Sequence, residues 1–76
     1  PVKYEVLSKG SKGVEVKRLQ KALRKIAVDG DFGPKTERRL VRIQKDLFPL
    51  LGKNLGTCNE ATWNYVEWTE GLLSRK

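Results

Sequence analysis

Gly30-Asp31-Phe32-Gly33-Pro34-Lys35-Thr36, followed after three residues by Leu40, returns further along the chain. It recurs as Gly56-Thr57-Cys58-Asn59-Glu60-Ala61-Thr62, followed after three residues by Val66. Each copy sets a glycine ahead of a helix-starting residue, then a threonine in the first helical turn, then an apolar residue one turn on. Pro34 presets the φ of a first helical position and wastes no N–H there. Asn59 reads as an N-cap, with Glu60 in the favourable first turn. Gly33 and Asn59 occupy matching positions, and both residue types tolerate φ > 0. A first-turn threonine can bond back into the loop and pin the glycine turn against the helix start. The unit is therefore a loop followed by a helix, used twice for folding.

The second helix carries Thr36, Leu40, Ile43 and Leu47 on its inner face, and Pro49 stops it, with Phe48 pushed towards an extended conformation. The third carries Trp63 and Val66 on one face and Tyr65, Trp68 and Leu72 on the next, with Gly71 weakening its end and a frayed tail beyond. Upstream, Val16, Leu19, Leu23 and Ile26 recur at helical spacing and predict a first helix running to Ile26. Ser11 is its expected N-cap, with Val14 as third helical residue and Glu15 in the first turn. Ala27–Gly33 is then the connecting loop. Val2, Tyr4 and Val6 alternate with Lys3 and Glu5, too short a strand to pair alone, so an extended arm over the helices is expected. The fold class is all-α: a three-helix bundle with an extended N-terminal arm and two glycine-containing loop–helix repeats. It forms one domain over 1–76, with arm and turn at 1–10, a core at 11–66, and the end of the third helix with its tail at 67–76.

The 76 residues allow one small core, and Cys58, the only cysteine, has no partner for a disulfide. No apolar run approaches the roughly 20 residues that span a bilayer. Lys3 and Glu5 break any apolar start, so no signal peptide is read in these residues. The net charge of +7 favours anionic partners: nucleic acid, acidic lipid or an anionic cell-wall polymer. Catalysis is disfavoured. Without histidine there is no Ser–His or Cys–His pair and no histidine metal ligand. Asp29 and Asp31 resemble the start of a calcium loop, yet Leu40 stands where its closing glutamate belongs. A glycosidase needs two carboxylates across a deep cleft, which three short helices do not offer. No cofactor is expected, and Cys58 reads as a small loop or core residue.

Leu7-Ser8-Lys9-Gly10-Ser11-Lys12-Gly13-Val14-Glu15-Val16-Lys17-Arg18-Leu19-Gln20, with Leu23, forms the first part of a longer ordered pattern. Asp29-Gly30-Asp31-Phe32-Gly33-Pro34-Lys35-Thr36, then Ile43-Gln44 and Thr62-Trp63, complete it. From Leu7 to Val66 the pattern resembles the peptidoglycan-binding domain of bacterial and phage cell-wall hydrolases, endolysins among them. The chain departs from that pattern at Arg39, where a small residue is usual, and at Ile43, where an aromatic is. Leu55 precedes Gly56 in place of aspartate, and 45–54 is longer than usual. The resemblance implies a non-catalytic three-helix module that anchors a hydrolase domain, in cis or in trans, to peptidoglycan or another anionic wall polymer. It also implies a place in the cell wall, periplasm or outside the cell, reached by a signal or lysis system outside these residues.

Asp31, Lys35, Arg38, Arg42 and Gln44 are the surface expected to meet the polymer, with Gln44 alternatively bracing the helix. The cluster Lys35, Arg38, Arg39, Arg42 and Lys45 reads equally as a solvated outer face. Two other functions stay open: a small basic nucleic-acid-binding domain, and a fold relative without sugar affinity that serves protein–protein interaction. The loop Ala27–Gly33 is longer than the 3–4-residue turn of a helix-turn-helix reader. Pro34-Lys35-Thr36 also lacks the side chains that read base edges. Phe32 and Trp63 are expected in the core, and Tyr65 and Trp68 packed against Tyr4 and Val6.

Overall fold

Pro34 and Asn59 each start a helix where the sequence places them. The computed structural model describes residues 5–47 and 55–74, with side chains to 72. Its helices are α1 (Val14–Leu23), α2 (Pro34–Asp46) and α3 (Glu60–Ser74), so the chain is an all-α three-helix bundle. Helix α1 packs against both α2 and α3. Leu7, Val16, Leu19, Leu23, Phe32, Leu40, Cys58, Trp63 and Val66 form the buried core, with Ile26 and Ile43 half-buried against it. Helix α3 runs through Gly71 to Ser74. Phe48 and Pro49, and the tail at 75–76, lie outside the described residues.

Both ends of α1 differ from the sequence expectation. Its N-cap is Gly13, so Ser11 is not the cap and Val14 is the first helical residue, 76% exposed. Ser11 is spent on the preceding turn: its Oγ accepts from Ser8 N at 3.1 Å, and its own N–H bonds Ser8 O at 2.9 Å. The chain then turns into the helix at φ 122 on Gly13, a conformation open to glycine. At the other end α1 stops at Leu23 and not at Ile26. Arg24 (φ 60, ψ 164) and Lys25 (φ 61) lie in the left-handed half of the map. Arg39 holds that break. Its Nε–H reaches Leu23 O at 2.8 Å and Arg24 O at 3.1 Å, which satisfies carbonyls the helix leaves open. A small residue at 39 could not do this.

The dihedrals of Arg24 belong to a region used almost solely by glycine, at a cost of about 1–3 kcal/mol for other residues. Arg24→Gly is therefore expected to stabilise the domain by about 1 kcal/mol, less than the full strain because glycine also loosens the unfolded chain. Urea unfolding checks this, and a lowered midpoint would show that the Arg24 side chain contributes more than its backbone costs.

The arm is not without a partner. Leu7 and Cys58 exchange backbone hydrogen bonds at 3.2 and 2.8 Å, an antiparallel bridge. Gly10 N–H bonds Phe32 O and Phe32 N–H bonds Ser11 O, both at 2.9 Å, beside a second bridge between Lys12 and Asp31. Phe32 and Cys58 are matching positions of the repeat, so the arm stitches the two loops in the same way. Val2 and Tyr4 lie outside the described residues.

Candidate functional site

Each loop of the repeat is wound around a buried glutamine. Gln20, 1% exposed, accepts at Oε1 from Asp29 N (3.0 Å) and Gly30 N (2.9 Å). Its Nε2 reaches Asp29 Oδ1, Asp31 O and Thr36 Oγ1 at 3.0–3.1 Å. Gln44, also 1% exposed, repeats the scheme: Oε1 accepts from Gly56 N at 2.8 Å, and Nε2 donates to Thr57 O (2.9 Å) and Thr62 Oγ1 (3.0 Å). The glutamine is thus the link between loop and first-turn threonine. In the second copy, Thr62 also hydrogen-bonds Asn59, whose Oδ1 caps α3 by accepting from Thr62 N at 3.2 Å. The sequence signal is an apolar residue followed by glutamine upstream of each loop, Leu19-Gln20 and Ile43-Gln44.

Gln44 is accordingly removed from the expected polymer-contacting surface, because its amide is buried and fully used within the fold. The inner face of α2 shifts with it: Thr36, Leu40 and Gln44 are buried, while Ile43 and Leu47 are half-buried. Gly33 also departs from expectation. Its φ of −100° is extended, and a Cβ there would meet nothing within 4 Å, so it matches Asn59 by position and not by a need for φ > 0. Gly30 does need it: φ is 78°, and a Cβ would meet Gly13 O and the Lys17 stem at 3.2–3.3 Å.

The Gln20 loop and the start of α2 enclose a groove of about 380 Å³, lined by Ile26, Ala27, Asp31, Pro34, Lys35 and Arg38 among others. Three of the five expected residues, Asp31, Lys35 and Arg38, meet there. Arg42 does not line it; it continues the cationic face one turn on from Arg38, exposed, with Nε 3.4 Å from Asp46 Oδ2. The two aspartates of the loop have different tasks. Asp29 Oδ1 accepts from Asp31 N at 3.0 Å and from Gln20, and these bonds hold its carboxyl below the usual aspartate range. Asp31 points to solvent, and its carboxylate bonds nothing among the described residues. The groove therefore offers an apolar wall, two cations and two carboxylates, Asp29 held by the loop's own bonds and Asp31 open, over a backbone fixed from beneath.

Arg18 is an α1 residue whose nearest carboxylate lies on another helix. It joins α1 to α3 by a bidentate pair with Glu70 at 2.7 and 2.8 Å and lies 5.2 Å from the centre of the Trp63 ring. Val6 and Trp68, expected to pack with Tyr65 and Tyr4, are 64% and 61% exposed; Tyr4 lies outside the described residues. Burial pushes the Cys58 thiol up to about 12, the reverse of what a nucleophile requires. Among the described residues no group of three or more Asp, Glu or Cys side chains could hold a metal, and no helix is long and apolar enough to cross a membrane. The chain matches no family model, no curated protein and no solved structure.

Proposed function

We propose that the chain is a non-catalytic binding module that holds an associated cell-wall hydrolase, in cis or in trans, on peptidoglycan. The observation that carries this reading is the groove between the Gln20 loop and α2, lined by Asp31, Lys35 and Arg38 together with Ile26, Ala27 and Pro34. Peptidoglycan presents the complementary chemistry. Its sugars have hydroxyls for a carboxylate and acetamide methyls for an apolar wall, and its free stem-peptide carboxylates suit the cations. The motif resemblance points the same way, and the groove lies in its first loop. Such a module works in the cell wall, periplasm or extracellular space, where weak contacts suffice because the partner is kept at high local concentration on an immobile polymer.

Sedimentation with purified insoluble sacculi, with sheared DNA as competitor, tests the reading. Binding unaffected by DNA is expected; binding abolished by DNA would instead favour a nucleic-acid partner, for which the +7 charge is the sole support. Charge reversal at Arg38 and Arg42 should weaken sedimentation at low salt and matter less at high salt, since exposed charges are screened beyond about 8 Å at physiological ionic strength. Asp31→Ala should weaken it at every salt concentration, because a short-range contact is lost. Salt-independent binding would remove the electrostatic half of the reading. Full binding by folded Asp31→Ala, Lys35→Ala and Arg38→Ala would remove the groove.

A further inference from the structure

Arg24 (φ 60, ψ 164) and Lys25 (φ 61) are consecutive, and both hold a backbone conformation that favours glycine. Backbone strain of this kind persists only where the surroundings over-determine it, and it gathers at ligand clamps and switch segments. The two residues that follow, Ile26 and Ala27, belong to the apolar wall of the groove, which Lys35 and Arg38 line from α2. The strained turn therefore leads straight into one side of the candidate site.

That wall is tied down at both ends. Beyond it, Gln20 Oε1 accepts from the Asp29 and Gly30 amides. Before it, Arg39 Nε–H donates to Leu23 O at 2.8 Å and to Arg24 O at 3.1 Å. Among the described residues these are the only hydrogen bonds that join 23–28 to α2. In between, Ile26 is half-buried against the core and Ala27 is exposed. Arg39, itself half-buried, follows Arg38 on α2. One side chain thus links the strained turn to the helix that carries the groove's cations.

We infer that Arg39 is a positioning residue for the groove, an assignment that rests on the groove's role in binding the wall polymer. By holding the Arg24–Lys25 turn it keeps Ile26 and Ala27 at the spacing from Lys35 and Arg38 that a glycan strand requires. Without its two bonds the turn relaxes towards negative φ, and the wall moves with it. The strain released offsets the bonds lost, so the domain keeps its stability while the groove loses its shape. Gln20 holds the other end of the same segment but also supports the fold, so only the Arg39 end can be freed separately.

The test compares the full chain with Arg39→Ala and Arg39→Lys. Lysine keeps the charge but sets a methylene where the Nε–H stands, which separates the hydrogen bonds from the charge. Each protein is unfolded in urea, sedimented with purified sacculi, and digested with trypsin. Mass spectrometry then compares cleavage after Arg24 with cleavage after Arg18 inside α1. In the unaltered chain Arg39 occupies the Arg24 carbonyl that the protease must attack. Both variants should be cut after Arg24 about tenfold faster, the scale of one lost charge-assisted bond, with cleavage after Arg18 unchanged. Both should bind sacculi about tenfold more weakly, as when the binding geometry is held about a tenth of the time. Their urea midpoints should stay close to that of the unaltered chain, a combination that a purely structural role would not give. Full sedimentation by variants whose turn is cut faster would overturn the assignment and leave the groove reading standing. Full sedimentation by Arg39→Lys alone would overturn it in favour of charge. Unchanged cleavage after Arg24 would show that Arg39 does not hold the turn, and equal acceleration after Arg18 would show that it holds the whole fold; either overturns the assignment. If the unaltered chain does not sediment, both readings are overturned.

Discussion

Gln20→Ala is expected to leave the domain largely unfolded. The substitution removes five hydrogen bonds at once: two loop N–H groups, Asp29 and Gly30, lose their acceptor, and Asp29 Oδ1, Asp31 O and Thr36 Oγ1 lose their donor. An unsatisfied buried polar group costs about 1–3 kcal/mol, and Gly30 and Thr36 are buried. Asp29 and Asp31 are exposed, so water can take over part of their share. The net loss is then about 3–5 kcal/mol, against a total of about 5 kcal/mol for a small domain. Gln44→Ala removes three bonds and should cost less. Thermal unfolding followed by circular dichroism measures both. A Gln20→Ala melting point within about 4 °C of the unaltered chain would place the loss near or below 1 kcal/mol and show that the loop does not depend on its glutamine.

The glutamines also mark where the sequence is hard to read. Helix periodicity identified Leu19, Leu23, Leu40, Trp63 and Val66 as inward-facing because each is apolar and recurs at helical spacing. Gln20 and Gln44 are as deeply buried, but a polar residue beside an apolar stripe reads as surface until its distant partners are known. For Gln20 those partners sit 9 to 16 residues away, in a loop whose path the pattern does not describe and in the first turn of α2 beyond it. Gln44 was legible as part of a motif and misassigned to its exposed side for the same reason.

The early end of α1 has a similar origin. Ile26 fits the apolar period and does pack on the core, so the stripe itself holds no signal that the helix has stopped. The stop is a tertiary event, made by the Arg39 guanidinium of α2 on the carbonyls of Leu23 and Arg24. In contrast, the starts of α2 and α3 were legible because Pro34 and Asn59 act through their own backbone or the next turn. The candidate site divides along the same line. Asp31, Lys35 and Arg38 come together because they lie on one loop and the helix it opens, whereas Gln20, which holds that loop from beneath, comes from α1.

Trp63→Ala should be the most damaging change in the core, because three segments close on that one ring. The side chain is fully buried, its Nε1–H donates to Glu5 O at 2.6 Å, and Arg18 lies over it while holding Glu70 further along α3. Truncating a buried aromatic to alanine costs about 3–5 kcal/mol through lost transfer energy and the cavity left behind. Glu5 O loses its donor as well, and Arg18 loses the surface that orients it towards Glu70. Arg18→Ala should be far milder, about 1 kcal/mol, because its side chain and that of Glu70 are 36% and 40% exposed and water competes for both charges. Trp63→Phe separates the remaining parts: it keeps most of the packed volume and removes the N–H, so it should fall between the two. Urea unfolding of the three variants gives the order Trp63→Ala, Trp63→Phe, Arg18→Ala from most to least destabilised. If Arg18→Ala proved as damaging as Trp63→Ala, the junction of α1 and α3 would be held by its ion pair, and burial of the indole would be secondary.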